Sequence, residues 1–404
     1  GGGILMNFSK RALQMQASPI RKLIPFSDEA KSKGKKVYHL NIGQPDLPTP
    51  QQFYDAVKKF TPKVLAYSHS AGLMELRQAF SQYYKKWNMD FSAEEIIVTN
   101  GGSEAIVFAL SVVADPGDEI LTIEPFYANY RGFCEMLNIK ITAARSKAED
   151  GYALPSKHEI ESKITSKTRA ILFSNPSNPT GAVYTRAEVQ TLVEIAKEHD
   201  LYLISDEVYK EFTFDGLNHV SAMEFGEYDR TIIVDSISKR FSACGARIGV
   251  LATKNKEVFA QSMKFAQSRL CAPVLEQYGT IGVLNDLGGS YLEEMRQEYQ
   301  RRRDAVFCEL QKIEGAKMKM PKGSFYVSVE LPVDDSEKFI KWMLSDFSVE
   351  NETVMVAPLS GFYTNDEFGK KEIRIAYVLE PDKLKKACYI LGEGVKQYRK
   401  TFMQ

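Results

Sequence analysis

Short apolar runs alternate with stretches of helical spacing through the middle of the chain. Seven runs rich in β-branched and aliphatic residues, each ended by polar residues, glycine or proline, predict strands between Glu95 and Thr253: EIIVTNGG, DEILTIEP, KITAARS, RAILFSNPSNP, LYLISDE, TIIVDSIS and RIGVLAT. Helical patterns separate several of them, among them Ser103–Ala114 and Arg186–Glu198. Nearly continuous apolar strands that alternate with helices are typical of parallel sheets buried on both faces. The pattern therefore predicts an α/β fold with a mostly parallel seven-stranded sheet and helices on both faces.

The N- and C-terminal parts of the chain show a different order of predicted helices and strands. A long helical stretch is predicted from about Gln277 to Leu310, followed by the strand GSFYVSVEL, a helix near Ser336–Ser345, the strand EIRIAYV and a final helix. The opening part contains one predicted helix, Arg21–Ser32, and an extended piece that could pack with the C-terminal part. We therefore expect a large domain over residues 49–290 and a smaller α+β domain formed by residues 1–48 and 291–404.

Composition narrows the classes of function. The 404 residues include 52 Lys+Arg and 52 Asp+Glu, so no net field attracts nucleic acid or an anionic membrane. The longest nearly apolar run, Ala105 to Ala114, is about half of what a membrane-spanning helix needs. Five scattered cysteines without a CxxC pair argue against a disulfide framework or a zinc site and favour a reducing cytoplasm. The opening GGGILM has no basic stretch before its apolar run, which argues against a signal peptide and leaves Met6 as the expected natural start.

The most informative motif is Ser236-Ile237-Ser238-Lys239, directly after the apolar run TIIVD, with Arg247 eight residues beyond the lysine. Hydroxyls and a guanidinium can hold a phosphate dianion while the lysine amine forms a Schiff base with an aldehyde. Pyridoxal phosphate needs that combination. The alternative is a surface lysine after a strand, beside a solvated arginine.

A second motif supplies an acid at a strand end. In LISDEVYKEF the apolar run ends at Asp206, and Tyr209 follows three residues later. A buried carboxylate there could pair with a pyridinium nitrogen, and the phenol could hydrogen-bond the 3-oxygen of the ring. The alternative for Asp206 is an ordinary helix N-cap.

Two further turns add weaker signals. Asn178, in FSNPSNPTG, could donate its carboxamide to the 3-oxygen of the cofactor or simply form an Asx turn. The turn TNGGSEAI places Gly101, Gly102 and Ser103 between a strand and a helix, where backbone N–H groups can hold a phosphate. It lacks the spacing of a dinucleotide-binding or nucleoside-triphosphate loop.

These motifs together, in this order and at strand ends, resemble the fold-type-I pyridoxal-phosphate-dependent aminotransferases of class I and II, including bacterial aspartate aminotransferases. The resemblance runs from NIGQPD near Asn41 to EIRIAY near Arg374, and it implies a homodimer with the active site at the subunit interface. It implies that Lys239 bonds to the cofactor and acts as general base, that Asp206 faces the ring nitrogen, and that Tyr209 and Asn178 face the 3-oxygen. The implied phosphate ligands are Gly101, Gly102, Ser103, Ser236, Ser238, Arg247 and, from the neighbouring subunit, Tyr67.

The resemblance also implies the residues that meet the substrate. Tyr127, in EPFYANY, would stack on the cofactor ring, and the alternative is an interior tyrosine. Arg374 would clamp the α-carboxylate of the substrate as a bidentate fork, with Gly43 and Asn178 beside it. Without the family context, Arg374 could be a solvent-facing strand residue.

Substrate identity depends on a cation for a distal carboxylate. Aspartate as donor and 2-oxoglutarate as acceptor, in a ping-pong reaction, are favoured. Some aspartate-specific relatives carry a lysine in the phosphate turn, whereas Ser103 follows Gly101-Gly102 here. Arg21 and Arg269 are candidate substitutes for that cation. The alternatives are an aminotransferase for aromatic amino acids or alanine, or a β-lyase; a cofactor-sensing transcription regulator is disfavoured because about 40 residues before NIGQPD are too few for a DNA-binding module.

Overall fold

The computed structural model describes residues 6–404; the first five residues, which belong to the predicted small domain and the opening GGGILM, lie outside the described part. The strands are β1 (Lys36–His39), β2 (Ile96–Asn100), β3 (Glu119–Glu124), β4 (Lys140–Arg145), β5 (Thr168–Ser174), β6 (Tyr202–Asp206), β7 (Thr231–Ser236), β8 (Ile248–Thr253), β9 (Tyr326–Glu330), β10 (Glu352–Met355), β11 (Ala357–Pro358) and β12 (Glu372–Ala376).

Thirteen α-helices lie within the described residues: α1 (Lys10–Gln14), α2 (Ile24–Ser32), α3 (Gln51–Lys58), α4 (Met74–Lys85), α5 (Gly101–Val113), α6 (Asn129–Met136), α7 (Lys157–Glu161), α8 (Arg186–Glu198), α9 (Lys256–Arg269), α10 (Val274–Asp286), α11 (Tyr291–Leu310), α12 (Ser336–Asp346) and α13 (Pro381–Phe402). None of these helices is both long enough and apolar enough to cross a membrane.

The seven predicted central strands form one sheet in the order β2-β8-β7-β6-β5-β3-β4. Only β8 runs against its neighbours, β2 and β7, and every other adjacent pair is parallel. The prediction of a mostly parallel seven-stranded sheet is therefore confirmed.

Alternate residues of each strand pack into different cores on the two faces of the sheet. Ile233 of β7 joins a core with α4, whereas its neighbours Ile232 and Val234 join a core with α5. β8 follows the same period of two, with Val250 on the first face and Leu251 on the second. Because both faces are covered, the strands read as continuous apolar runs.

The N- and C-terminal parts of the chain share a core, which also includes Tyr209, Phe212 and Phe214 from the middle of the chain. β1 pairs in parallel with β10, and β9, β11 and β12 form a three-stranded antiparallel sheet. Buried residues of α2, α11, α12 and α13 pack around these strands. The first helix is different, since α1 lies against α6, where Arg11 donates to the carbonyl of Met136. The domain boundaries at residues 49 and 290 stay a prediction.

Helix ends depart from the predicted pattern in two places. The predicted long stretch from Gln277 to Leu310 is two helices, α10 and α11, because the segment Leu287–Ser290 contains two consecutive glycines that favour non-helical backbone. The predicted helix Arg21–Ser32 begins as a 3₁₀ turn over Arg21–Leu23 and becomes α-helical at Ile24, just before Pro25.

A close approach between β8 and the start of α5 leaves no room for a side chain at Gly249. A β-carbon at Gly249 would overlap the backbone of Gly101 and lie 2.7 Å from the nitrogen of Gly102. We predict that Gly249→Ala lowers the free energy of unfolding by about 1–3 kcal/mol, because the backbone must shift. Urea denaturation of the two proteins measures the effect. Gly245→Ala is the control, since a β-carbon there meets nothing within 4 Å, and an equal loss in both variants would contradict the prediction.

Candidate active site

The predicted motifs meet at one edge of the central sheet. β2, β3, β5, β6 and β7 all run the same way, so their carboxyl ends lie along one edge, and the antiparallel β8 begins there. Asp206 ends β6, Ser236 ends β7, Gly101 follows β2 and Arg247 precedes β8. The carboxyl edge is where open α/β sheets bind ligands.

A cavity of about 360 Å³ opens at this edge. Five predicted site residues line it: Gly43, Tyr127, Asn178, Lys239 and Arg374. Its wall also contains Arg21, Cys244 and Tyr326, together with apolar side chains from the N-terminal segment. Three cations, Arg21, Lys239 and Arg374, line the cavity, and no carboxylate among the described residues does. The cavity therefore has the electrostatics of a site for anionic ligands.

Lys239 reaches into the cavity from the segment after β7. Its Nζ donates to the carbonyl of Gly43 at 2.6 Å and lies 3.8 Å from Sγ of Cys244. A carbonyl acceptor thus holds the partly buried amine in the cavity. No carboxylate among residues 6–404 forms an ion pair with it. Lys239 lies where a carbonyl group of a bound ligand could react with it.

Asp206 is a buried acid without a cationic partner in the described chain. It is 4% exposed, accepts from the hydroxyl of Tyr130 at 2.6 Å and from the backbone N–H of Val208 at 3.3 Å. Burial raises the pKa of Asp206 to about 6, although these two hydrogen bonds act the other way. A ligand that brings a positive charge to this carboxylate would relieve the cost of its ionisation, which fits a protonated pyridine ring.

An anion cradle lies beside Lys239. α5 begins at Gly101 without a side-chain cap. The N–H of Gly101 donates to the carbonyl of Arg247 at 3.0 Å, and no side chain in the described chain accepts from the N–H groups of Gly102 and Ser103. The hydroxyls of Ser236 and Ser238 hydrogen-bond at 2.7 Å, and the guanidinium of Arg247 lies so close to Gly101 that a β-carbon there would overlap it. A helix N-terminus, two hydroxyls and an arginine together fit a phosphate group.

Arg374 lines the cavity and is held in place by hydrogen bonds. Its Nη1 donates to Oδ1 of Asn178 at 3.0 Å and its Nη2 to the carbonyl of Asn41 at 2.7 Å. Arg374 is 4% exposed, and its guanidinium carbon lies 4.3 Å from the ring centre of Tyr326. It is therefore not a solvent-facing strand residue. Its Nε has no hydrogen-bond partner within the described residues, so the side chain keeps donor capacity for a ligand.

Tyr209 and Gly43 are connected through Tyr326. The hydroxyl of Tyr209 donates to that of Tyr326 at 2.9 Å. Gly43 lies directly against the same hydroxyl, where any β-carbon would overlap it. Glycine is thus needed at residue 43 because the tyrosine takes the space of a side chain.

Tyr67 is a predicted site residue that no described contact joins to the cavity or to the cradle. Its side chain is 75% exposed and does not line the cavity. Exposed apolar residues surround it in sequence, Val64 and Leu65 among them. Its predicted role in a neighbouring subunit stays a prediction.

Sequence reasoning missed several residues of this site. Tyr130 contacts Asp206 and stacks on Tyr127, with ring centres 5.4 Å apart and planes 15° apart. The spacing of three residues in YANY places both tyrosines on one helical face and could have indicated the pair. Tyr326 and Cys244 have no such signal, because they reach the cavity only through tertiary packing.

A buried ionic cluster supports the loops that carry the site. Lys210, Glu211, Asp235 and Arg240 are almost fully inaccessible, and Lys210 contacts Asp235 at 2.8 Å while Arg240 contacts both acids. Burial opposes ionisation, but the charges of Arg240 and Lys210 lower the pKa of Asp235 to about 2. Two cations balance two anions, and the pairs join the segment after Tyr209 to the residues flanking Ser236–Lys239. The cluster therefore fixes Lys239 relative to Asp206.

Comparison with known proteins agrees with the geometry. A family model described as aminotransferase class I and II matches residues 35–391. The aspartate aminotransferase of Bacillus subtilis (strain 168) is 29% identical, covering 97% of this chain and 100% of the relative. Aromatic-amino-acid aminotransferase 2 of Thermococcus litoralis is 32% identical, covering 97% and 99%. The solved alanine aminotransferase from Pyrococcus furiosus superimposes with a TM-score of 0.89 at 30% identity, covering 97% of this chain and 100% of that chain.

The buried acid generates a prediction about pH. Because the pKa of Asp206 is about 6 in the folded protein against an ordinary 3.8, its ionised form opposes folding above about pH 6, and this cost disappears below about pH 4. We predict that Asp206→Asn, prepared without cofactor, is more stable than wild type by up to about 3 kcal/mol near pH 8, and that the difference vanishes near pH 4. Urea denaturation at both pH values tests this; a pH-independent difference would contradict it.

Proposed function

The chain belongs to the class I and II aminotransferases, whose members depend on pyridoxal 5′-phosphate, and we propose that it transfers the amino group of aspartate to a 2-oxo acid. The observation that carries the proposal is a cavity lined by Lys239 and Arg374, with Asp206 buried at the same edge of the sheet. The described wall of this cavity contains three cations and no carboxylate. An amine that bonds a carbonyl, an acid for a ring nitrogen and a fork for a carboxylate are the parts that transamination needs.

We assign the cofactor contacts as follows. Bound pyridoxal phosphate supplies an electron sink for negative charge at the α-carbon of the substrate. Asp206 keeps the ring nitrogen protonated, Tyr127 covers the ring, and Tyr209 and Asn178 hold the 3-oxygen. The phosphate is held by the cradle: Gly101, Gly102, Ser103, Ser236, Ser238 and Arg247.

Lys239 has two successive roles in the proposal. Without substrate, Lys239 would hold the aldehyde carbon of the cofactor. With substrate bound, its free amine would serve as the general base and general acid that moves the proton of the α-carbon. Its contact with the carbonyl of Gly43 supports this role, because the contact holds Nζ inside the cavity in which a substrate would lie. Arg374 holds the α-carboxylate of the substrate beside it.

Aspartate is the favoured donor and 2-oxoglutarate the proposed acceptor, in a ping-pong reaction. Relatives named aspartate aminotransferase, such as those of Bacillus subtilis and Pyrococcus horikoshii, support the choice. The excess of cations in the cavity also favours a substrate with two acidic groups.

An aminotransferase for aromatic amino acids is the second candidate. Ile20, Ile24, Ile42 and Phe362 line the cavity and could contact an aromatic side chain, and one relative is named for aromatic amino acids. Alanine transamination would use the same catalytic residues with a different substrate side chain. A β-lyase would use them to expel a leaving group from the β-carbon of the substrate.

We also propose a cytoplasmic homodimer. The exposed Tyr67, with Val64 and Leu65 beside it, would be covered by a second copy, whose phosphate cradle would receive the tyrosine hydroxyl. Free cysteines without disulfide pairing support a reducing compartment. Within each subunit, the shared core of the N- and C-terminal parts supports a small domain over residues 1–48 and 291–404 and a large, cofactor-binding domain over residues 49–290.

The assignment of Lys239 is tested by Lys239→Ala. We expect no measurable turnover, while the phosphate contacts still retain the cofactor. Wild type loaded with cofactor should lose the visible absorbance of the cofactor when aspartate is added without an acceptor, and 2-oxoglutarate should restore it. Faster loss with tyrosine or phenylalanine would favour the second candidate. Lys256→Ala, an exposed lysine distant in sequence, is the control, and normal turnover by Lys239→Ala would refute the assignment.

Tyr67→Phe tests the shared site. We expect the affinity for pyridoxal phosphate to fall by roughly 10-fold, because one hydrogen bond to a charged group is lost. Stability should stay unchanged if Tyr67 has no partner in its own chain. Equilibrium dialysis measures the affinity, and light scattering measures the mass of the assembly. Tyr389→Phe, at another exposed tyrosine, is the control; equal affinity in all three proteins, or a monomeric wild type, would rule out the shared site.

A further inference from the structure

The cavity holds one more cation than the reaction uses. Lys239 serves the cofactor and Arg374 serves the α-carboxylate in the proposed function, on which this inference rests. Arg21 is the third cation of the wall, and no carboxylate among residues 6–404 pairs with it or lines the cavity. A guanidinium in this position has no acidic partner from the described part of its own chain.

The backbone around Arg21 is anchored on both sides. Its N–H donates to Oγ of Ser18 at 3.3 Å, and Pro19 packs so closely on Gly361 that a β-carbon there would overlap it. On the other side, Leu23 is fully buried in the core of the terminal parts. The side chain thus starts from a fixed position at the cavity, which lowers the entropic cost of holding a ligand.

The other candidate cation is committed elsewhere. The guanidinium of Arg269 pairs with Glu104 at 2.8 Å. It also donates to the backbone carbonyls of Ser70 at 2.9 Å and Val98 at 2.7 Å. These contacts occupy all three nitrogens, and the residue does not line the cavity. Arg269 therefore acts as a structural clamp between α9 and the sheet.

The surroundings of Arg21 favour a carboxylate over a neutral group. Ile20 and Ile24 flank it on the wall and exclude water once a substrate fills the cavity. Charge-assisted hydrogen bonds are stronger where water is excluded, and the planar fork of arginine matches a carboxylate in two-pronged fashion.

We propose that Arg21 binds the second acidic group of a dicarboxylic amino acid or oxo acid, and so selects aspartate and 2-oxoglutarate over neutral substrates. Arg374 and Arg21 then take one carboxylate each, and the substrate spans the cavity between them. The residue determines specificity and takes no part in proton transfer.

Binding of unreactive acids tests this without turnover. Succinate and butyrate have carbon chains of equal length and differ by one carboxylate. We expect the wild-type holoenzyme to bind succinate roughly 10- to 100-fold more tightly than butyrate in calorimetric titrations, and Arg21→Ala to lose that preference. Butyrate affinity should be unchanged. A preference for succinate that persists in Arg21→Ala would overturn the proposal, as would its absence in wild type.

Kinetics provide an independent measurement. Arg21→Ala should lower kcat/KM for aspartate by roughly 10- to 100-fold and leave kcat/KM for asparagine and alanine within about twofold. Arg21→Lys should recover part of the aspartate activity, since it restores the charge without the fork. Lys22→Ala is the matched control: this neighbouring cation pairs with Glu337 at 3.1 Å and does not line the cavity. Equal losses for aspartate and asparagine in Arg21→Ala would indicate a structural role and overturn the proposal.

The two proposals fail in different ways. A wild-type enzyme that transfers no amino group from any amino acid contradicts the proposed function, whatever Arg21 binds. A wild-type enzyme that transaminates, but whose Arg21→Ala variant keeps its succinate preference, contradicts only the role of Arg21.

Discussion

The need to balance buried charge at the carboxyl edge of the sheet organises the rest of this structure. Taking a charged side chain out of water is costly unless an opposite charge accompanies it. Lys210, Glu211, Asp235 and Arg240 meet this condition among themselves. Asp206, at the end of the neighbouring strand β6, has no cationic partner in the described chain, and burial raises its pKa to about 6. The cluster thus balances its own charge, whereas Asp206 leaves a negative charge that a bound cofactor would balance.

Much of the sheet and its motifs could be predicted from sequence because the determining interactions are local. An apolar run predicts a strand, and the residue after it must lie at the carboxyl edge, so Asp206, Ser236 and Lys239 lie together as predicted. The break between α10 and α11 also has a local signal, Gly288-Gly289, but the helical pattern on both sides of it leads to the prediction of one continuous helix. Local spacing says little about such short interruptions.

Residues that depend on packing between distant segments escape prediction. Tyr326 takes the space of a side chain at Gly43, and nothing in either local pattern indicates that contact. Arg21 and Arg269 are equal candidates in the sequence. The structure separates them, because Arg21 lines the cavity whereas Arg269 is hydrogen-bonded to Glu104, Ser70 and Val98 outside it. Tyr67 is exposed in the single chain for a further reason. In the proposed dimer, its hydroxyl would reach the phosphate cradle of the second copy.

The four-residue ionic cluster also constrains how this sequence can diverge. Loss of any one charge leaves the buried cluster with one uncompensated charge, a change that typically costs about 3–5 kcal/mol. A lineage that replaces Lys210 therefore passes through a disfavoured intermediate unless Asp235 or Glu211 changes with it. Among proteins descended from this enzyme, the residues at these four positions should therefore change together or stay unchanged. Substrate preference, carried by side chains such as Arg21 on a separate segment, can meanwhile change one residue at a time.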